Sequence, residues 1–173
     1  MARTDADIAV IKRSHDSAVN ASRILGYTVN WASFPDQQFD TIPLLTITQT
    51  IEREIEKVNP DVVYTHTLNC RNFDHRITHD ATMDATRLGI NEIYCYETVS
   101  STEWSDAPFD PQCYVDITDT FDLKLQALSC YSKEMRESPH PRSESGVRSL
   151  AMTRGATVGL KYAEAFEVIR LVK

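Results

Sequence analysis

"DVVYTHTLNCRNFDHRITHDATMDATRLGINEIYCYE", residues 61 to 97, is the stretch whose reading decides the fold. Its first six residues are a short β-branched run of the kind that forms a buried parallel strand. A helix is expected from about Asp74 to Leu88, stopped by Gly89, and "EIYCYE" (92–97) reads as the next strand. Strand, crossover helix and strand in that order predict a parallel pair.

The same alternation extends outward. From Asp5 to Leu25 the apolar positions Ile8, Val10, Ile11, Ala18, Val19, Ile24 and Leu25 recur at helical spacing, and Gly26 supplies a stop. "YTVNWASF" (27–34) reads as a strand, "PDQQFDTIP" as a loop, and 44–59 as a helix closed by Pro60. Further on, 112–118 reads as a strand, 121–135 and 144–165 as helices, and 166–172 as a terminal strand. The expected class is α/β, a three-layer sandwich with a mostly parallel sheet in a single domain over 1–173.

The chain has 173 residues with 42% hydrophobic and 25% charged, a globular balance. With 18 Lys+Arg against 25 Asp+Glu the formal charge is −7, so nothing favours nucleic acid or an anionic membrane as a partner. A small polar or neutral ligand fits better. No stretch reaches the ~18 apolar residues that span a bilayer, and "MARTDADIAV" is not a signal peptide. The four cysteines, Cys70, Cys95, Cys113 and Cys130, form no CxxC pair, which reads as reduced thiols in a cytoplasm.

In open α/β sheets ligands bind beyond the carboxyl ends of the strands. That points to the loops after Phe34, His66 and Glu97, with the clusters "PDQQFD" carrying Asp36, "HTLNCRNFDH", and "ETVSSTEW" carrying Glu103. Asp74 and His75 start the expected helix, and His79 follows His75 at i, i+4, a spacing at which two imidazoles can share a zinc if a third ligand arrives. The other reading is an Asp N-cap with two surface histidines. "SSTEW" suits a sugar-like ligand, or is a turn with Trp104 tucked in. "SPHPRS" pairs His140 with Arg142 in a stiffened loop, or merely connects two helices.

"DVVYTHTLNCRNFDHR", followed by "SSTEW", "FDPQCYVDIT", "KLQALSCY", "PHPRS" and "RGATVGLKYAEAF", resembles the PIG-L/LmbE-like de-N-acetylases, in the bacterial branch with a TH…NxDH motif. The resemblance implies a Rossmann-like fold and one zinc that serves hydrolysis of the acetamide of an N-acetylglucosamine-type amino sugar. It implies His75 as a zinc ligand and Asp74 as a proton-transfer group. Asn72 stands where many members carry a catalytic histidine, leaving that role to His66, and Cys70 stands where an aspartate is expected. Asp36, Asn72, Arg76, Glu103, His140 and Arg142 are the implied substrate-binding residues.

Family members open with a strand ending in HPDDE, which supplies two more zinc ligands and the general base. "SHDS" (14–17) lies inside the first expected helix, and "PHPRS" has no carboxylate. The chain thus reads as starting after the family's second strand, lacking a βαβ portion of roughly 30 or more residues. The expectation is a cytoplasmic de-N-acetylase fold whose activity in this chain is impaired, with uncovered sheet edges that leave homo-oligomerisation open. A different class is a non-catalytic remnant that binds a sugar or a partner protein, and metal content separates the two. A nucleotide-sugar enzyme is disfavoured, because no G-x-G-x-x-G follows any expected strand.

Overall fold

The computed structural model describes residues 5–87 and 89–173. The chain divides into two compact units. One comprises Met1–Trp31 with Asp116–Ala163, the other Ala32–Val115 with Glu164–Lys173. The expected end of the second crossover helix, Leu88, lies outside the described residues.

The second unit holds the stretch that decides the fold. Helix α2 (Leu44–Val58) ends on Asn59 in the left-handed conformation at φ 49, just ahead of Pro60. Strand β1 (Val62–His66), helix α3 (Phe73–Ala85) and strand β2 (Glu92–Tyr96) follow, and β1 pairs parallel with β2 from Val62↔Glu92 to His66↔Tyr96. Residue alternation assigns the two faces. Thr65 reaches Thr82 of α3 through a buried 3.2 Å hydrogen bond, while Tyr64, one residue back, stacks on Tyr94 at 5.4 Å across the ladder. Ile93 and Cys95 are fully buried beside β1, with Ala81 of α3.

The sheet has four strands in the order β1-β2-β4-β3, with β3 at Cys113–Asp116 and β4 at Ala163–Leu171. It is mixed: β2 and β4 run antiparallel, with an irregularity between Ile93 and Tyr94. Arg170 of β4 reaches beyond the end of α3, where its Nη1 donates to the carbonyls of Thr86 (2.7 Å) and Ile90 (3.1 Å) and its Nη2 to that of Arg87 (3.3 Å). A cation thus satisfies carbonyls that a helix end leaves open.

The first unit is helical. It contains α1 (Asp5–Leu25), α4 (Phe121–Ser129) and α5 (Glu144–Val158). Ile117, Phe121, Val147 and Ala151 form its buried cluster, and Tyr162 stacks on Phe121 at 4.2 Å.

Three boundaries differ from the sequence reading. Residues 27–35 make no ladder; Trp31 stacks on His15 at 3.8 Å, and Ser33 at φ 57 interrupts the extended run. The helix expected at 121–135 stops at Ser129, and the segment that continues it is a series of turns. The helix expected at 144–165 stops at Val158 on Gly159, whose φ of 79 ends the α geometry, and Ala163 to Phe166 belong to β4 instead. No described helix is long and apolar enough to cross a membrane.

Candidate active site

The turn from β1 into α3 is organised by Asn72. Its backbone is extended (φ −71, ψ 125), and its Oδ1 accepts the N–H groups of Asp74 (2.9 Å) and His75 (3.4 Å). Asn72 is therefore the N-cap, rather than Asp74. Asp74, placed in the first turn where a carboxylate is favoured by the helix dipole, is buried, and its Oδ1 accepts the Phe39 N–H at 3.1 Å. That bond fastens the 3₁₀ turn Phe39–Thr41 against the start of α3.

His66 and His75 meet face to face, with centroids 3.7 Å apart and planes 9° from parallel. Register explains half of this: His66 lies opposite Tyr96, and its Nε2 is 3.2 Å from the Tyr96 hydroxyl while its Nδ1 is 3.3 Å from Thr98 Oγ1. Burial, with His75 and His79 close by, pushes the His66 pKa down to about 3, so its ring is neutral at neutral pH. His79 is held by the backbone of β1. It is buried, and its Nδ1–H donates to the His66 carbonyl at 2.8 Å. The i, i+4 histidines of α3 thus serve different ends, and His79 is not the surface residue of the alternative reading.

Cys70 was legible only as a departure from a family pattern, yet it sits at the centre. Its Sγ is 3.1 Å from His75 Nδ1 and 3.0 Å from Ser101 Oγ. Ser101 ties the two loops together, since it accepts the Asn72 N–H on its hydroxyl (3.0 Å) and the Arg71 N–H on its carbonyl (3.1 Å). Glu103 folds back on the same turn, its Oε2 accepting the Ser101 N–H at 3.1 Å. Below them Thr67, almost fully buried, donates to Glu167 at 2.6 Å and accepts the Asn69 N–H at 3.2 Å. Sequence reasoning missed Tyr96, Thr98 and Glu167; the two-residue period of β2 put Tyr96 on the His66 face and could have found it.

The other expected site residues spread out. Arg76 lies over the Phe73 ring at 4.8 Å, and Asp36 is exposed in a turn. His140 and Arg142 belong to the first unit, where the Arg142 N–H donates to His140 Nδ1 at 3.0 Å and its guanidinium pairs with Glu134.

A catalytic zinc needs about three protein donors around an open position. Among the described residues no three His, Cys, Asp or Glu side chains converge. The described donors therefore do not by themselves fit the zinc that the resemblance implies.

The model of the PIG-L family, described as GlcNAc-PI de-N-acetylase, matches residues 2–86. Among solved structures, a conserved protein of Thermus thermophilus superposes with a TM-score of 0.76 at 19% identity, over 100% of this chain and 77% of that one. The N,N'-diacetylchitobiose deacetylase of Pyrococcus horikoshii gives 0.75 at 20% identity, over 95% of this chain and 65% of its own. A deacetylase of an antimicrobial pseudoaglycone gives 0.69 at 21%, over 98% and 74%. No curated protein sequence matches significantly.

Proposed function

We propose that the chain serves hydrolysis of the acetamide of an N-acetylglucosamine-type sugar or conjugate, a reading supported by the match of residues 2–86 to the model of the PIG-L family, described as GlcNAc-PI de-N-acetylase. The observation that carries the reading is the stacked His66–His75 pair at the carboxyl ends of β1 and β2, framed by Asn72, Asp74 and Ser101. This is where a ligand belongs in an α/β sheet. His75 is the one residue assigned to the metal. Asp74 and His66 are the proton-handling groups, and Asp36, Asn72, Arg76 and Glu103 are the groups for the sugar.

Zinc, if bound, would polarise the carbonyl and acidify a water, but the described donors fall short of holding it. What the chain's own groups do is hold and orient. Asn72 fixes the His75 backbone, and His66 keeps a neutral ring between two hydroxyls. A proton acceptor works best with a pKa near the operating pH, so a ring at about 3 is a weak base. That favours a second reading in which this chain binds a sugar conjugate without turning it over.

Zinc content and acetate release decide between them. The chain is expected to bind zinc weakly and to release acetate from an N-acetylglucosamine conjugate at a rate lower by about 10²–10⁴-fold than a fusion carrying an HPDDE strand and helix, the contribution of a positioned proton-transfer group. Tight stoichiometric zinc with fast turnover by the chain itself would overturn the weak-site reading; sugar binding with no acetate from either protein would favour the binding module.

A further inference from the structure

The loop after β2 changes character within two residues. Ser100, Ser101 and Thr102 are buried, whereas Trp104 is 55% exposed, so the indole is not tucked into its turn. Leu68, in the loop after β1, and Phe73, the first residue of α3, are each 49% exposed. Single exposed apolar side chains are ordinary, but three large ones on the segments that frame one polar site mark a place where something binds. We propose that Trp104 is the stacking residue of that site, a platform for the apolar face of a pyranose ring. The inference rests on the reading of the α3 entrance as a sugar site.

The loop fixes the place of the indole. The Thr102 N–H donates to the Thr98 carbonyl at 2.9 Å and the Thr98 N–H donates to the Thr102 hydroxyl at 2.8 Å, which closes the segment on itself. Two bonds then fasten it to the turn that carries Asn72: Ser101 accepts the Arg71 N–H on its carbonyl and the Asn72 N–H on its hydroxyl. Beyond them the Ser105 N–H donates to the Thr102 carbonyl at 3.1 Å, a turn whose two central residues are Glu103 and Trp104. Glu103 folds back on the Ser101 N–H, and on the far side of the turn Asp106 meets Arg71 at 3.9 Å. Trp104 therefore stands between two attachments to the α3 entrance. A residue held this way gives up little freedom when a ligand arrives.

An indole suits a pyranose for two reasons. Its π face is negative and attracts the C–H groups of the sugar, which their oxygen neighbours make slightly positive, and the flat contact removes apolar area from water on both partners. Its Nε1–H is a donor for a hydroxyl at the ring edge. A pyranose divides into C–H faces and a hydroxyl-bearing edge, and the α3 entrance divides the same way, with exposed apolar side chains on its loops and hydroxyls and imidazoles between them. The ligand class that follows is a neutral pyranoside with equatorial substituents, whose axial C–H groups leave a face open to stacking. Such a stack needs no metal, so binding and hydrolysis are separable.

The test is a titration of the full chain with methyl N-acetyl-β-glucosaminide, carried out with Trp31→Phe so that Trp104 is the sole indole. Binding should shift or quench the Trp104 fluorescence, with the affinity that calorimetry gives for the wild type. Trp104→Ala should weaken that affinity by about tenfold, as loss of an aromatic anchor does, and Trp104→Phe should restore most of it. Should Trp31→Phe not fold, the wild-type chain still answers, because saturation of the indole protons must transfer to the C–H protons of one sugar face in an NMR spectrum. No sugar binding by the wild type, binding that leaves the Trp104 signal unmoved, or Trp104→Ala binding as tightly as the wild type would each overturn the proposal. Acetate release is read separately. Stacking without acetate would remove the hydrolytic reading and leave Trp104 in its role, whereas acetate release indifferent to Trp104→Ala would keep the hydrolytic reading and remove the stack.

Discussion

Helices α3 and α5 start alike and are used differently. Each is entered from an extended N-cap whose side chain accepts an amide, Asn72 from Asp74 and His75, Ser143 from Gly146. Each entrance carries a histidine and an arginine within a few residues. At α3 the polar groups turn inward: Asp74 and Cys70 are buried, Cys70 contacts both His75 and Ser101, and His75 stacks on His66. At α5 they turn to the loop itself, with His140 accepting the Arg142 N–H and Arg142 pairing with Glu134. Gly146 permits this tight loop, since a Cβ there would lie 2.6 Å from the Pro141 carbonyl oxygen. Equivalent capping chemistry therefore makes a site only where the strand ahead of it delivers a second set of polar groups to the same place.

The largest expected effect tests whether the α3 entrance is coupled to pH through burial. His66 titrates at about 3 when folded, against about 6.5 in an unfolded chain. Above pH 6.5 both states are neutral and nothing is lost. As the pH falls from 6.5 towards 3 the unfolded chain takes up a proton that the folded chain refuses, so stability declines by roughly 1.4 kcal/mol per pH unit. Urea unfolding at pH 6.5 and 5 should therefore differ by about 2 kcal/mol from this group, and His66→Gln should flatten the slope by that amount. An unchanged slope would mean that the ring is hydrated enough to titrate normally.

How much of this was legible follows the same division. The strand–helix–strand unit at 61–97 could be read because a β-branched run, a polar turn and Gly89 punctuate it locally. The α/β class and the loop bearing the site come with it. The strand expected at 27–34 could not be checked locally: its residues have β propensity, but among the described residues no neighbouring strand offers a ladder, and Trp31 stacks on His15 instead. The α5 boundary was missed because "YAEAF" has helix-forming residues, whereas Gly159 and the pairing of Phe166 with Tyr96 decide for strand. In the site, Asp74 and His75 were visible as a motif. The partners of Cys70, His66 and Thr67 come from 31, 32 and 100 residues away, and spacing carries no such information.

A smaller effect sharpens the comparison of the two caps. Asn72→Ala removes an acceptor used by two amides and should cost about 1–2 kcal/mol, whereas Ser143→Ala, which frees one amide, should cost about 1 kcal/mol. The second measurement is the His75 ring in an NMR spectrum. Loss of the Asn72 bond releases the His75 backbone and should shift its ring signals, while Ser143→Ala should leave them in place. Equal ring shifts in both variants would show that the His75 position is not set by its cap.

The smallest effect belongs to Arg142. Its pair with Glu134 links side chains that are 35% and 61% exposed, so solvent screens the attraction. The loop keeps its backbone bonds without the guanidinium: the Arg142 N–H still donates to His140 Nδ1, and its carbonyl still accepts the Arg136 N–H at 3.3 Å. Arg142→Ala should therefore change stability by about 0.5 kcal/mol or less. The sequence reading assigns it a role with the substrate, and that role would show as weaker sugar-conjugate affinity, measured by calorimetry, with the fold intact. A stability loss above about 1 kcal/mol would mean that the pair carries structure after all, because an exposed pair of this kind rarely contributes so much. Unchanged stability with unchanged affinity would make the α5 entrance a connector, and would leave the α3 entrance as the sole holder of the proposed chemistry.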